Sequence, residues 1–445
     1  MIETLRHDLA RAEEAGEDVG VASFLSVASR NTTHAAWILA CAISLTEAEI
    51  AKLLTSLWPD LREPERAAAE LGTWPFIEKG ENGWRVSATR ARLIAAHFRR
   101  TDASKFRQLH ELLVEQEQQR EREADEDENW FIRGRIAFYL AGVDQQKSIN
   151  EFGHEFEQSP LMDRTLCRMW LSSLVIRQAD LLSERSREVG FFRAFRLYVE
   201  GRLNDALEQF EHVISSSKED LYEAIALHLA GFIERRRNPG VALPRLERSV
   251  VLSSKLNLLD NEIMARNSLV WALIDHWRQT SPETTTEKVE SAHRYADENL
   301  VVALRSGVPI LLARCRETAA AVEWLWSVAR VGIQESRSRT KAILAALRES
   351  KRTLLALHDY DGAVHSANYA AQILVDLGEP SGDYSSALAE IGDILEAVNW
   401  VTTPVPSLVR LGKTVGSICG RASAEQSQTA HALLNRINQI RQASA

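Results

Sequence analysis

The strongest constraint on what this chain can fold into is a spacing of small and large residues. Gly201, Leu203, Ala206, Phe210 and Val213 stand where a helix–turn–helix repeat needs a turn glycine, a bulky residue, a small one, a large one and a further apolar one. Tyr360, Ala363, Ala367 and Ala370 give a thinner second copy, and Ala242 with Leu246 keeps the centre of a third. A lone pair of short helices cannot bury its own apolar face, so such pairs stack on their neighbours into an array with one continuous core. Punctuation is sparse for a chain of many short strands: 21 Gly and 11 Pro in 445 residues. Helices are favoured instead, and the expected fold class is all-α.

The N-terminal part follows a different pattern. His34 to Ile43 reads as a buried helix. Thr46-Glu47-Ala48-Glu49 is a capping box, followed by Ile50, Leu53, Leu54 and Leu57 at helical spacing. Pro59 and Pro64 bracket the start of a third helix, Glu65 to Leu71. Phe76-Ile77-Glu78 and Trp84-Arg85-Val86 read as a hairpin around Asn82-Gly83, and Ser87 opens a further helix. Three helices and a hairpin predict a small winged helix. The run from Glu115 to Glu128 is charge-dense and is expected to bury nothing, as a linker or a solvated helix extension.

From Trp130 the pattern is helical throughout. Breaks fall at Ser159-Pro160, Asn238-Pro239-Gly240, Ser281-Pro282, Gly307-Val308-Pro309, Gly378-Glu379-Pro380 and Thr403-Pro404-Val405-Pro406. Ala424 to Gln442 reads as a polar terminal helix that covers the open end of the array. The expected organisation is a helical segment at 1–33, a winged-helix-like domain at 34–112, an acidic linker or helix extension at 113–129, and a helical-repeat domain at 130–445.

Two family resemblances rest on these residues. The repeat spacing around Gly201, Leu203, Ala206 and Phe210 resembles the tetratricopeptide (TPR) superfamily, which implies a TPR-like superhelix. The N-terminal unit is similar to the winged-helix domain that follows the nucleotide-binding module in bacterial STAND-type signalling ATPases. That similarity is carried by Leu45-Thr46-Glu47-Ala48-Glu49, Phe76-Ile77-Glu78, Gly83-Trp84-Arg85-Val86-Ser87, Arg90 and Phe106 to Leu109. A TPR array commonly follows that domain, and the ATPase module itself has no counterpart here. Where the family often carries a nucleotide-sensing histidine, this chain has Val86-Ser87-Ala88. The resemblance implies a bacterial signalling, regulatory or defence setting, with an effector or NTPase encoded nearby as partner.

Motifs for chemistry are weak. Gly412-Lys413-Thr414 ends like a P-loop, but Ser407 occupies the first glycine position and Leu408 to Leu411 are bulky and helix-like. Metal-ligand spacings are missing: there is no His-Glu-x-x-His and no Cys/His cluster. Cys41, Cys167, Cys315 and Cys419 lie far apart in sequence, as in proteins of a reducing compartment, so a cytoplasmic location is expected. No catalytic residue, metal or cofactor is assigned, and the chain is expected not to be an enzyme.

Charge decides between partners. The net charge is −9, which opposes non-specific binding to a polyanion. The predicted third helix carries Glu65, Arg66 and Glu70, a poor reader of a DNA groove. Basic side chains do gather at Arg90, Arg92, Arg99 and Arg100, and at Arg235, Arg236 and Arg237, where a helix end also welcomes cations. These seven arginines are the candidate contacts for a partner or a phosphate. The expected function is a non-enzymatic scaffold or sensor that holds a protein, peptide or small signal. The alternative is a winged-helix DNA-binding regulator with a TPR sensor.

Overall fold

The computed structural model describes residues 28–74, 77–81, 83–159, 164–280, 286–378, 381–398 and 405–443. Phe76, Asn82, Pro160, the Ser281-Pro282 break and most of the expected segment 1–33 lie outside the described residues. The protein is all-α, and among the described residues strand is confined to one hairpin. The chain forms two compact units: residues up to Ser159 with Arg168–Phe192, and Pro160–Cys167 with Arg193–Ala445.

The first unit opens with α1 (Arg30–Cys41), α2 (Glu47–Leu57) and α3 (Pro64–Leu71), then β1 (Ile77–Gly80), β2 (Gly83–Val86) and α4 (Ala88–Thr101). The first three helix starts have a local cause, whereas Ser87 before α4 makes no side-chain cap. The Ser29 hydroxyl accepts from the Thr32 amide at 3.1 Å. The Thr46 hydroxyl accepts from the Glu49 amide at 3.3 Å, and the Glu49 carboxylate accepts from the Thr46 amide at 2.7 Å, which completes the capping box. Pro64 stands at the first turn of α3, where no intrahelical donor is needed. In the antiparallel hairpin Ile77 faces Val86 and Lys79 faces Trp84, and Leu45 adds a bridge to Trp84. The core beneath is aromatic: Trp37 stacks on Phe98 at 4.6 Å and His34 on Trp58 at 4.0 Å. Burial lowers His34 to about 4, so it packs as a neutral ring.

Helices α5 (Ala103–Glu123), α6 (Glu126–Leu140) and α7 (Gln145–Glu157) continue this unit. The acidic run departs from expectation here. Most of it is the exposed end of α5, but Glu117 is buried. Its carboxylate meets Arg120 at 2.7 Å and Arg135 at 3.1 Å, and Arg120 also holds Glu49 of α2. The charge run therefore joins α5 to α6 through Glu117 and to α2 through Arg120, and the Arg120 and Arg135 guanidiniums only partly offset the burial that raises the Glu117 carboxyl. Helices α8 (Arg164–Arg177) and α9 (Ser186–Val199) lead into the second unit.

The second unit is built of antiparallel helix pairs. α10 (Leu203–Ser215) follows the turn at Gly201, whose φ is +78°. Ala206, Phe210 and Val213 are fully buried along one stripe of α10. α11 (Leu221–Glu234) pairs with α12 (Pro239–Lys255), where Ala242 and Leu246 are fully buried and Leu246 fills the space a side chain at Gly231 would need. α13 (Leu259–Gln279) pairs with α14 (Glu287–Ser306).

The next segment, α15 (Pro309–Ala356), is helical on both sides of one residue. Gly332 has φ +80° and ψ +169°, a conformation essentially closed to other residues, and the chain reverses there. The reversal shows in the pairing of its two limbs. Glu323 meets Arg339 at 2.6 Å and Arg316 meets Glu349 at 2.9 Å, an antiparallel register centred on Gly332. α15 is thus a fourth helix pair joined by a single glycine. α16 (Tyr360–Gly378) pairs with α17 (Ser385–Ala397), and α18 (Val405–Cys419) with α19 (Ala424–Ala443). Ala363 and Ala367 are fully buried in the core these helices share with Leu388, Leu411 and Ile437. Tyr360 opens α16 half-buried, with its hydroxyl bonded to His358 at 2.8 Å.

Candidate functional site

In the second unit, the first helix of each pair carries polar and aromatic side chains toward the same inner face. Tyr198 comes from α9, Arg235 caps α11, and Trp271 and Asp275 come from α13. The first limb of α15 gives Arg314 and Glu317, α16 gives Asp361, His365 and Tyr369, and α18 gives Ser407 and Arg410. The face is closed across non-adjacent pairs: Trp271 and Tyr369 stack with ring centroids 4.7 Å apart and planes 3° from parallel.

At the centre lies an ion cluster. Arg314 donates to both carboxylate oxygens of Asp359, at 2.7 and 2.6 Å, and reaches Asp361 at 3.5 Å. Asp359 is fixed from behind by the Gly362 amide at 3.2 Å. The Ser407 hydroxyl donates to Asp361, and an Arg410 N–H donates to the Nε2 of His365. His365 also lies 3.7 Å from Asp361 and 3.9 Å from Glu317. Beyond this cluster, the Thr414 hydroxyl donates to the Asn368 side chain at 2.8 Å.

Burial and charge set the protonation of this face. Burial alone works to raise Asp361, but the guanidiniums of Arg314 and Arg410 and the Ser407 bond overcome it and hold the carboxyl well below its usual range. Burial lowers His365, and Arg410 lowers it further, so the imidazole is neutral and accepts the Arg410 donor. Burial raises Glu317 to about 8, against the pull of Arg314, so its carboxyl holds a proton at neutral pH. Burial works to lower Arg314, but Asp359, Asp361 and Glu317 raise it and keep the guanidinium charged. Burial lowers Arg235 to about 10 despite Asp275 at 3.8 Å. Burial pushes the Tyr198 hydroxyl up to about 12, with Asp361 adding to it against Arg410 and Arg235. Side chains from α9, α15, α16 and α18 therefore share one electrostatic environment.

The arginines singled out in the sequence fall in different places. Arg235 is buried on the inner face over the Phe232 ring, 4.7 Å from its centroid. Arg236 is exposed on the same face, near Arg410, Asp275 and Tyr369. Arg237 donates to the Asn204 side chain at 2.5 Å. In the first unit, Arg92 is held by Asp180 through two bonds of 2.9 Å, Arg90 is half-buried, and Arg99 and Arg100 are exposed. The arginine of α3 is also engaged: Arg66 meets Glu63 at 3.1 Å and Glu70 at 3.3 Å.

Gly412-Lys413-Thr414 lies within α18, and Thr414 bonds Asn368. Its amides serve the helix and do not form a phosphate-binding turn. Among the described residues no group of His, Cys, Asp or Glu is placed to hold a metal ion, and no helix is long and apolar enough to cross a membrane. The sequence reading missed Arg314, Glu317, Asp361, His365 and Arg410. A local signal existed: Asp361, His365 and Tyr369 recur every four residues, a polar and aromatic stripe on α16 beside the buried stripe of Ala363, Ala367 and Ala370.

No protein-family model matches the chain, and no curated protein matches it in sequence. Among solved structures, it is similar to a Rap protein complexed with competence and sporulation factor, at 13% identity over 75% of this chain and 98% of that one, with a TM-score of 0.37. A signal transduction ATPase with numerous domains (STAND) carrying a tetratricopeptide repeat sensor, from Pyrococcus horikoshii, matches at 11% identity over 96% of this chain and 67% of that one, TM-score 0.40. A circular tandem repeat protein matches at 13% identity over 78% of this chain and 94% of that one, TM-score 0.26.

Proposed function

We propose that this protein is a non-enzymatic sensor or scaffold whose second unit, a TPR-like array, holds a peptide or protein segment on its inner face. The observation that carries this reading is the convergence of Tyr198, Trp271, Arg235, Arg314, Tyr369 and Arg410 from successive helix pairs onto one surface. A purely structural core has no need of that many polar and aromatic groups on one side of an array. Flat rings and guanidiniums are the side chains that anchor recognition surfaces. The three helices, hairpin and α4 of the first unit support the winged-helix reading, and the resemblance to STAND-type proteins supports a cytoplasmic role in bacterial signalling, regulation or defence, with an effector or NTPase as partner.

The winged helix is assigned a protein contact in preference to DNA. DNA affinity rests on phosphate contacts and falls steeply with salt. Here Arg66 of α3 and Arg92 of α4 are already paired with carboxylates, and the chain carries −9 overall. Two measurements test the assignment. Residues 190–400 are expected to be needed for retention of a partner in a pull-down with full-length protein. Mobility shifts with duplex DNA at about 150 mM salt are expected to be weak. Tight, sequence-selective binding that is lost in the Arg99→Glu, Arg100→Glu variant would establish the DNA-regulator alternative instead.

A further inference from the structure

The inner face carries more positive charge than it neutralises. Five guanidiniums act there on one another or on the shared His365 and Tyr369: Arg235, Arg236, Arg278, Arg314 and Arg410. Arg314 is matched by Asp359 and Asp361, and Arg235 has Asp275 at 3.8 Å. Among the described residues, Arg236, Arg278 and Arg410 have no carboxylate within ion-pair distance, although Asp275 acts on Arg236 and Asp361 on Arg410 from further away. The Arg410 side chain donates to neutral His365, and its Nε is buried without a partner among the described residues. These three come from the end of α11, the end of α13 and the middle of α18, so the fold brings them together although no local helix geometry demands it.

Like charges held together by separate elements repel, and the cost grows as water is excluded. A fourth group points the same way. Glu317, nine-tenths and more buried, has its Oε2 without a hydrogen-bond partner beside the cluster. The protonated carboxyl offers a donor to an incoming anion. Around these charges stand the half-buried rings of Tyr369 and Tyr198, Tyr369 being backed by the buried Trp271 on which it stacks.

We propose that the inner face of the second unit recognises an acidic peptide segment, its side-chain carboxylates received by Arg236, Arg278 and Arg410 and its flanking residues by Tyr369 and Tyr198. This rests on the reading of that face as a peptide-binding surface and specifies its chemistry. A peptide is favoured over nucleic acid because a small surplus of guanidiniums over carboxylates on this face suits a segment with a few carboxylates, whereas a long polyanion also meets the −9 of the whole chain.

The test uses the full chain and fluorescence anisotropy. The probe is a labelled, N-acetylated and C-amidated octapeptide of alternating glutamate and tyrosine, so that only side-chain carboxylates are present. A matched glutamine–tyrosine peptide and single-stranded oligouridine serve as competitors. The glutamate peptide is expected to bind, to weaken as salt rises from about 50 to about 500 mM, and to lose about tenfold in affinity with each of Arg236→Gln, Arg278→Gln and Arg410→Gln. Arg236 and Arg278 are exposed, so their variants keep the fold whatever happens at Arg410. Equal binding of the glutamine peptide, or glutamate-peptide binding indifferent to both exposed variants, overturns the acidic preference and leaves the peptide-binding reading standing. Displacement by oligouridine at lower concentration than unlabelled glutamate peptide overturns the choice of a peptide. Retention of neither peptide, together with no partner in the pull-down, removes both readings.

Discussion

Glu317→Gln gives the sharpest test of how the inner face is held together. Glu317 is buried on α15 beside Arg314, with His365 3.9 Å away. Burial raises its carboxyl from the ordinary 4.5 to about 8. In the unfolded chain it ionises near 4.5, whereas in the folded protein it keeps its proton until about 8. The folded state therefore binds the extra proton between those values, and stability is lost as pH rises through that window. Below about 4.5 both states are protonated and the residue contributes no pH dependence. Above about 8 both are ionised and the full loss has been taken. At about 1.4 kcal/mol for each tenfold difference in proton affinity, the loss is at most about 5 kcal/mol. Between pH 5 and pH 9 about 4 kcal/mol of it falls, and rearrangement around an ionised Glu317 reduces that to about 2–4 kcal/mol.

Glutamine keeps the shape and removes the titration. Thermal melts of wild type and Glu317→Gln, taken at matched pH, isolate this one group because all others cancel in the difference. The variant is expected to gain on wild type steadily from pH 5 to pH 8 and to hold a constant lead above about pH 8.5. At about 2–4 °C per kcal/mol for a unit of this size, the lead grows by about 5–15 °C. Parallel melting curves across that range would show that Glu317 is ionised and matched in the folded protein. The charge balance assigned to the inner face would then be wrong by one.

Two further outcomes probe the array itself. Gly332→Ala places a Cβ in a conformation that only glycine adopts, and it is expected to cost about 1–3 kcal/mol in chemical denaturation, whereas an unchanged midpoint would refute the single-glycine reversal of α15. Ala206→Trp forces a large ring into the fully buried stripe of α10, and a loss of about 1–3 kcal/mol or more is expected in the same assay, an unchanged midpoint meaning that the repeat register is misplaced.

How much of this was legible in the sequence depends on the distance over which each feature is encoded. Ala206, Phe210 and Val213 were readable because one turn of helix fixes which side chains share a stripe, and their burial follows from packing against the next helix. The Thr46–Glu49 box was readable because its two bonds close within four residues. Trp324 and Trp326, two apart, cannot share a helix face, and one is indeed core while the other is half-exposed beside His293. Gly332 was overlooked because no proline or polar turn residue marks it. The signal was length: Pro309–Ala356 is 48 residues, far longer than one helix of a repeat, so a reversal had to fall near its middle.

The inner face is a harder case, and the difficulty is one of curvature. Asp361, His365 and Tyr369 form a stripe at helical spacing, and Ala363 and Ala367 beside it show which side of α16 packs into the core. Given that register, the polar stripe is bound to lie off the packing side. What the local sequence does not contain is how far each helix pair rotates against the last. That rotation accumulates over α11 to α18, and it alone decides whether Trp271 meets Tyr369 or solvent. The small residues at the contacts, Gly231 beneath Leu246 among them, set the spacing from which that rotation arises. Each alanine or glycine of the packing stripe thus acts on the ligand-facing stripe at a distance. Enlarging one is expected to shift the convergence of Arg236, Arg278 and Arg410 without touching any of the three.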